Sequence, residues 1–94
     1  MPRLRYSDEA KADLKQIARN IANDKPAAAR KWTAKLREKC RLVSQNPEIG
    51  DSRPELGQGV RSTYLGSYVI YFRSKAGFLE IARVIRGDVD NPKI

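Results

Sequence analysis

Residues 60–72 read VRSTYLGSYVIYF. Val60 to Leu65 and Tyr68 to Phe72 are two runs rich in β-branched and aromatic residues, which favour a pleated, half-buried strand. Gly66-Ser67 between them suits a two-residue hairpin turn, with glycine supplying the positive φ. Downstream, Ser74-Lys75-Ala76-Gly77 makes a second turn, and Leu79 to Ile85 reads as the last strand of a meander. Arg86 to Ile94 reads as an exposed tail, punctuated by Gly87 and Pro92.

Upstream of this block the periodicity changes. Ala10, Leu14, Ile17, Ala18 and Ile21 recur at helical spacing and place one apolar stripe on a helix of roughly 8–23. Ser7 is positioned to cap it, and Asp8 and Glu9 put negative charge in its first turn. Lys11, Lys15 and Arg19 occupy the opposite face. Asn23-Asp24-Lys25 interrupts the pattern, and Pro26 fits the first turn of a second helix. Ala29, Trp32, Leu36, Cys40 and Val43 form its stripe, and Asn46-Pro47 stops it. A connection of about three residues predicts an antiparallel helical hairpin. Pro47 to Gly59 reads as loop. Before the helices, Leu4 and Tyr6 alternate with Arg3 and Arg5 as in a short strand. The order β-α-α-β-β-β predicts an α+β fold. The expected sheet has four strands and is mostly antiparallel, with the hairpin covering one face. The pairing partner of the first strand is left open.

The 94 residues argue for a single domain over 1–94. A domain this small buries about 60–65% of its unfolded surface, so a bound partner would add usefully to its stability. Its formal net charge is +8 and its pI near 10.0. Residues 1–46 hold 12 basic and 5 acidic side chains, whereas residues 47–94 hold 7 and 6. The helical half should therefore attract an acidic partner, either nucleic acid or an acidic protein segment. Its second helix carries Arg30, Lys31, Lys35, Arg37, Lys39 and Arg41 against Glu38 alone. Trp32, Lys31, Lys35 and Lys39 are the candidates for a protein-binding surface, set against a solvated basic face and a core role for Trp32.

The single cysteine, Cys40, fits a reducing cytoplasm and is most simply a core residue. No run approaches the roughly 20 apolar residues of a membrane span, and no signal peptide is expected. The sequence contains no histidine, which removes the commonest general base and the commonest zinc ligand. Ser7, Ser62 and Ser67 therefore have no imidazole to activate them. No phosphate-binding glycine loop is present. Asp88 and Asp90 are too few to hold a metal unaided. No cofactor is expected.

Several segments resemble the RelE/ParE toxin superfamily. They are Asp13-Leu14 with Ile17 and Ile21, Asn46-Pro47 with Gly50, Gly59-Val60-Arg61, Tyr68-Val69-Ile70-Tyr71, and Ile81 to Gly87. The resemblance, nearest the ParE branch, implies a growth-arresting toxin of a type II pair, neutralised by a cognate antitoxin. For that branch it implies inhibition of DNA gyrase by binding, and for the RelE branch cleavage of messenger RNA on the ribosome.

RNA cleavage needs a base for the 2′-hydroxyl, an acid for the leaving oxygen and cations on the phosphate. Arg61 and Arg83 match arginines of the RelE pattern and would form the phosphate clamp; the alternative is that each pairs with a neighbour or with an antitoxin carboxylate. Glu80 is expected on the strand face opposite Arg83. Tyr64, Tyr68 and Tyr71 are acid/base candidates, set against ordinary cross-strand packing. No His, Tyr or Glu follows Arg83, and Arg86 stands where ParE-like sequences often carry histidine. Arg86 is too basic to donate a proton near neutrality. This favours a non-enzymatic gyrase inhibitor, with Arg61, Arg73, Arg83, Arg86 and the tail as candidate target contacts. An endoribonuclease and a basic nucleic-acid-binding module are the alternatives.

Overall fold

The computed structural model describes residues 3–89 and 92–94. Strand β1 (Arg3–Tyr6) leads through Ser7 into α1 (Asp8–Asp24) and α2 (Pro26–Gln45). Strands β2 (Asp51–Ser52), β3 (Arg61–Leu65), β4 (Tyr68–Lys75) and β5 (Phe78–Arg86) follow. They form one mixed sheet in the order β1-β5-β4-β3-β2, in which β1 runs parallel to β5 and every other pair is antiparallel. The α+β class is as the sequence indicates, with a fifth, two-residue strand that it did not.

Ser7 caps α1 by accepting from the Ala10 N–H at 2.9 Å. The two helices share Lys25 as their only junction residue, shorter than the connection expected from sequence. Its N–H donates to Ile21 O and its carbonyl accepts from Ala29 N, so one residue closes α1 and opens α2. Pro26 makes this tight corner workable. A residue before proline is pushed away from helical φ/ψ, and Lys25 is extended.

Paired residues of neighbouring strands point to the same side of a sheet. Leu79, Ile81, Val84, Ile70 and Phe72 face the helices and pack with Ala10, Ile17, Leu36, Cys40 and Val43 in the main core. Trp32 and Tyr68 border it in an edge-to-face contact, ring centroids 5.3 Å apart. The opposite face carries a small second cluster, Val60, Val69 and Tyr71, against which Leu56, Ile85 and Ile94 pack. Ile94 thus returns to the sheet, whereas Arg86 to Val89 are exposed. Asp90 lies outside the described residues.

The fifth strand depends on Gly50. A Cβ built there would lie 2.5 Å from Phe72 Cζ and 2.9 Å from Ser62 O. Only glycine lets the chain pass this close to β3 and place Asp51 and Ser52 opposite Ser62 and Arg61. Gly50→Ala is therefore expected to destabilise the protein by about 1–3 kcal/mol through overpacking, read as a lower urea midpoint at unchanged m-value.

Candidate functional site

Strand β5 has nine residues and β1 only four, so the outer edge of β5 is unpaired beyond Ile81. Ser7 and Asp13 take the place of the missing strand. Ser7 N–H donates to Ile81 O at 3.0 Å, and its hydroxyl donates to Ala82 O at 2.7 Å. Asp13 Oδ2 accepts from Val84 N–H at 3.0 Å. The same carboxylate receives the forked guanidinium of Arg83, with Nε at 2.7 Å from Oδ2 and an Nη at 2.9 Å from Oδ1. These hydrogen bonds from Arg83 to Asp13 hold the Arg83 guanidinium even further above neutrality than usual, against a smaller opposing effect of burial.

A bulge lies at the same point. Tyr71 pairs with Arg83 but Phe72 pairs with Ile81, so Ala82 is an extra residue on β5. The sequence alternation placed Glu80 and Arg83 on opposite faces, and the bulge reverses this. Both lie on the helix-free side, lining a cavity of about 410 Å³ with Arg73, Ser7 and Lys93. There Arg73 Nε donates to Glu80 Oε1 at 3.1 Å.

The two arginines of the expected phosphate clamp are separated by the sheet itself. Arg61 pairs with Phe72, a core residue, and so belongs to the helix-covered side. Arg83 pairs with Tyr71 on the other side. Each is also engaged. Arg61 donates to the carbonyls of Glu48, at 3.1 Å, and Gly50, fastening the loop that carries β2. Arg83 holds Asp13 and donates to Lys93 O at 3.2 Å. Arg86 is exposed, 3.4 Å from Asp88. The structure therefore brings Arg73 and Arg83 to one cavity and leaves Arg61 and Arg86 elsewhere.

The tyrosines have packing or hydrogen-bonding roles. Tyr71 is buried, and burial raises its pKa. Tyr68 meets Trp32 beside the core. Tyr64 is half exposed, and its hydroxyl accepts from Arg53 at 3.1 Å. Tyr6 lies next to Cys40, and burial pushes the Tyr6 hydroxyl far up and the Cys40 thiol to about 11. Burial therefore moves Tyr6, Cys40 and Tyr71 away from proton exchange near neutral pH.

On the helical side, Lys31 and Lys35 are exposed, Lys39 is half-buried, and Trp32 is half-buried with its indole N–H unpartnered. Lys35, Lys39, Leu42 and Leu65 frame a shallow apolar depression of about 320 Å³. A larger groove of about 630 Å³ runs between α1 and α2. Ala18, Ala22, Ala29 and Ala34 line it, and Arg19, Arg30 and Arg37 stand around it. The sequence points to the lysines and to a groove beside the hairpin, or an added strand at a sheet edge, but not to the alanines and arginines that form this groove. Its signal was small residues from two helices interleaved with arginines, visible only once the hairpin fixes which faces meet.

A five-stranded mixed sheet behind a basic helical hairpin, with one parallel edge strand, defines a small α+β fold. The family model described as ParE toxin of the type II toxin–antitoxin system parDE matches residues 4–90, and the chain belongs to that family. Among solved structures, a chain of the chromosomal ParDE toxin–antitoxin system from P. aeruginosa is similar, with a TM-score of 0.78 and 28% identity. That match covers 92% of this chain and 96% of the other. No curated protein matches.

Arg61→Lys separates the structural role of Arg61 from a phosphate contact. Lysine keeps the charge but loses the planar fork. A loss of about 0.5–1.5 kcal/mol in chemical denaturation is expected, the size of one or two net hydrogen bonds; unchanged stability would mean that the loop does not need the guanidinium.

Proposed function

We propose that this chain arrests growth by binding DNA gyrase, without chemistry of its own, and that a cognate antitoxin neutralises it. The carrying observation is the placement of Arg61 and Arg83 on opposite faces of the sheet, each engaged within the chain. An endoribonuclease needs cations converging on one phosphate together with an acid and a base. The helix-free face offers Arg83 locked to Asp13 and Arg73 locked to Glu80. Membership of the ParE family supports the gyrase reading. Arg86, exposed at the end of β5, and the segment after it are the proposed target contacts; Arg61, Arg73 and Arg83 act by holding the surface in shape.

For the antitoxin, an amphipathic helix in the α1–α2 groove is the favoured mode, its apolar face on the alanines and its acidic flanks toward Arg19, Arg30 and Arg37. Trp32, Lys31, Lys35 and Lys39 form a second contact beside Leu42. The similar structure comes from a ParDE pair, which supports a protein partner of this kind.

Two experiments test these readings. Pulse labelling after induction in antitoxin-free bacteria should show DNA synthesis falling before translation, and the purified chain should inhibit supercoiling by gyrase. Translation falling first, with supercoiling untouched, would overturn the gyrase reading in favour of the ribosome. For the antitoxin, replacing Arg19, Arg30 and Arg37 with Gln should raise its Kd at least tenfold, about 1.4 kcal/mol, with the loss shrinking as salt rises. Replacing Lys31, Lys35 and Lys39 should weaken binding less. Unchanged affinity in both series would move the antitoxin site off the hairpin.

A further inference from the structure

The sequence shows no basic-aromatic signature within any one strand, but the sheet assembles one from three. Phe78 opens β5. In the register it pairs with Arg3 of β1 on one side and with Lys75 of β4 on the other. Neighbouring strands are about 4.8 Å apart, so Arg3, Phe78 and Lys75 form one row across the helix-free face. Arg5, two residues along β1, shares that face and lies with its guanidinium carbon 4.8 Å from the centroid of the Phe78 ring. Arg3, Arg5 and Lys75 are exposed, and none has an ion-pair partner among the described residues. Of the carboxylates nearby, Glu80 is taken by Arg73, and Glu9 lines the cavity that holds that pair.

We infer that this corner of the sheet binds a single-stranded nucleic-acid segment, independently of the gyrase reading. Three unpaired cations around one half-buried aromatic ring match a chain that alternates phosphates with flat bases. The phosphates reach Arg3, Arg5 and Lys75, and a base stacks on the Arg5–Phe78 pair, since guanidinium and aromatic planes both accept bases. An acidic peptide would satisfy the cations but leave the ring unused. An amphipathic helix would find only the cavity of about 400 Å³ that Lys75 and Phe78 line with Pro47 and Leu79, whereas the larger apolar groove, of about 630 Å³, lies between the helices. The charges belong to both halves of the sequence, which is why counting them by halves conceals the cluster.

Fluorescence anisotropy of a short labelled oligothymidylate with the purified full chain tests this directly. Binding is expected, with log K falling against log salt at a slope of about −2, from three cations at about 0.7 each. The triple variant Arg3→Gln, Arg5→Gln, Lys75→Gln should lose at least tenfold in affinity and most of the slope. Phe78→Leu should lose about threefold or more while keeping the slope, because stacking is removed and charge is not. The variant Lys31→Gln, Lys35→Gln, Lys39→Gln, equal in net charge to the first triple, should bind as the parent does, and thermal melts establish that all variants are folded. No binding by the parent, equal loss in both triple variants, or displacement by polyglutamate as effective as by unlabelled oligothymidylate would each overturn the inference; the last would assign the corner to an acidic protein.

Discussion

The carboxylate of Asp13 holds this fold together where a strand is missing. Strand β5 is more than twice as long as β1, so part of its outer edge would otherwise present backbone groups with no partner. A buried backbone group left unpaired costs about as much as a lost hydrogen bond. Asp13 accepts from Val84 N–H, and Ser7 serves Ile81 and Ala82. Both residues belong to the start of α1, so satisfying the edge also fixes the helix on the sheet. The Ala82 bulge brings Arg83 to the helix-free side, from which its guanidinium spans back to Asp13, and the fork of two hydrogen bonds sets the angle of approach. With α1 fixed, α2 follows from the one-residue corner at Lys25, and the groove between the helices is the consequence.

The same interaction decides how the arginines are read. A guanidinium matched to a carboxylate on two atoms is no longer available to a phosphate without separating that pair, and Asp13 would then remain half-enclosed and uncompensated. Arg61 is committed differently, to two carbonyls of the loop after α2. Both residues occupy positions that resemble a nuclease pattern, yet both serve the scaffold. Among the described residues, the cations with no ion-pair partner lie elsewhere, around the hairpin groove and at the β1 corner of the sheet, while Arg86 stands exposed beside Asp88. The two groups lie on different faces of the fold, the groove between the helices and the corner on the helix-free side of the sheet.

Much of this architecture was legible in the chain. The stripes Ala10–Leu14–Ile17–Ile21 and Ala29–Trp32–Leu36–Cys40–Val43 identify both helices, and the Gly66-Ser67 turn identifies the hairpin of β3 and β4. These signals are local, and the helical stripes are carried by residues that end up buried or half-buried. What escaped was either too short or too distant. The pair Asp51-Ser52 has no periodicity to detect, and its existence rests on the contact of Gly50 with Phe72. The Ala82 bulge breaks an alternation that looks regular, so Glu80 was placed on the wrong face. Asp13 and Arg83 are 70 residues apart, and no spacing rule links them. The arginine pair of the alternative, nuclease reading is separated for the same reason. Arg61 and Arg83 fall at plausible strand positions, but their faces are set by register, which sequence does not print. The alanine lining of the hairpin groove was missed because each helix contributes only half of it.

The most direct test of the Asp13 clamp is a double-mutant cycle with Asp13→Asn and Arg83→Met, followed by urea denaturation. Asparagine can still accept from Val84 N–H, so the cycle isolates the contact with the guanidinium. A favourable coupling of about 1–3 kcal/mol between the two sites is expected for a charge-assisted, partly buried fork. Additive losses, with coupling within about 0.3 kcal/mol of zero, would show that Arg83 does not depend on Asp13, and would return it to the pool of residues free to meet a phosphate.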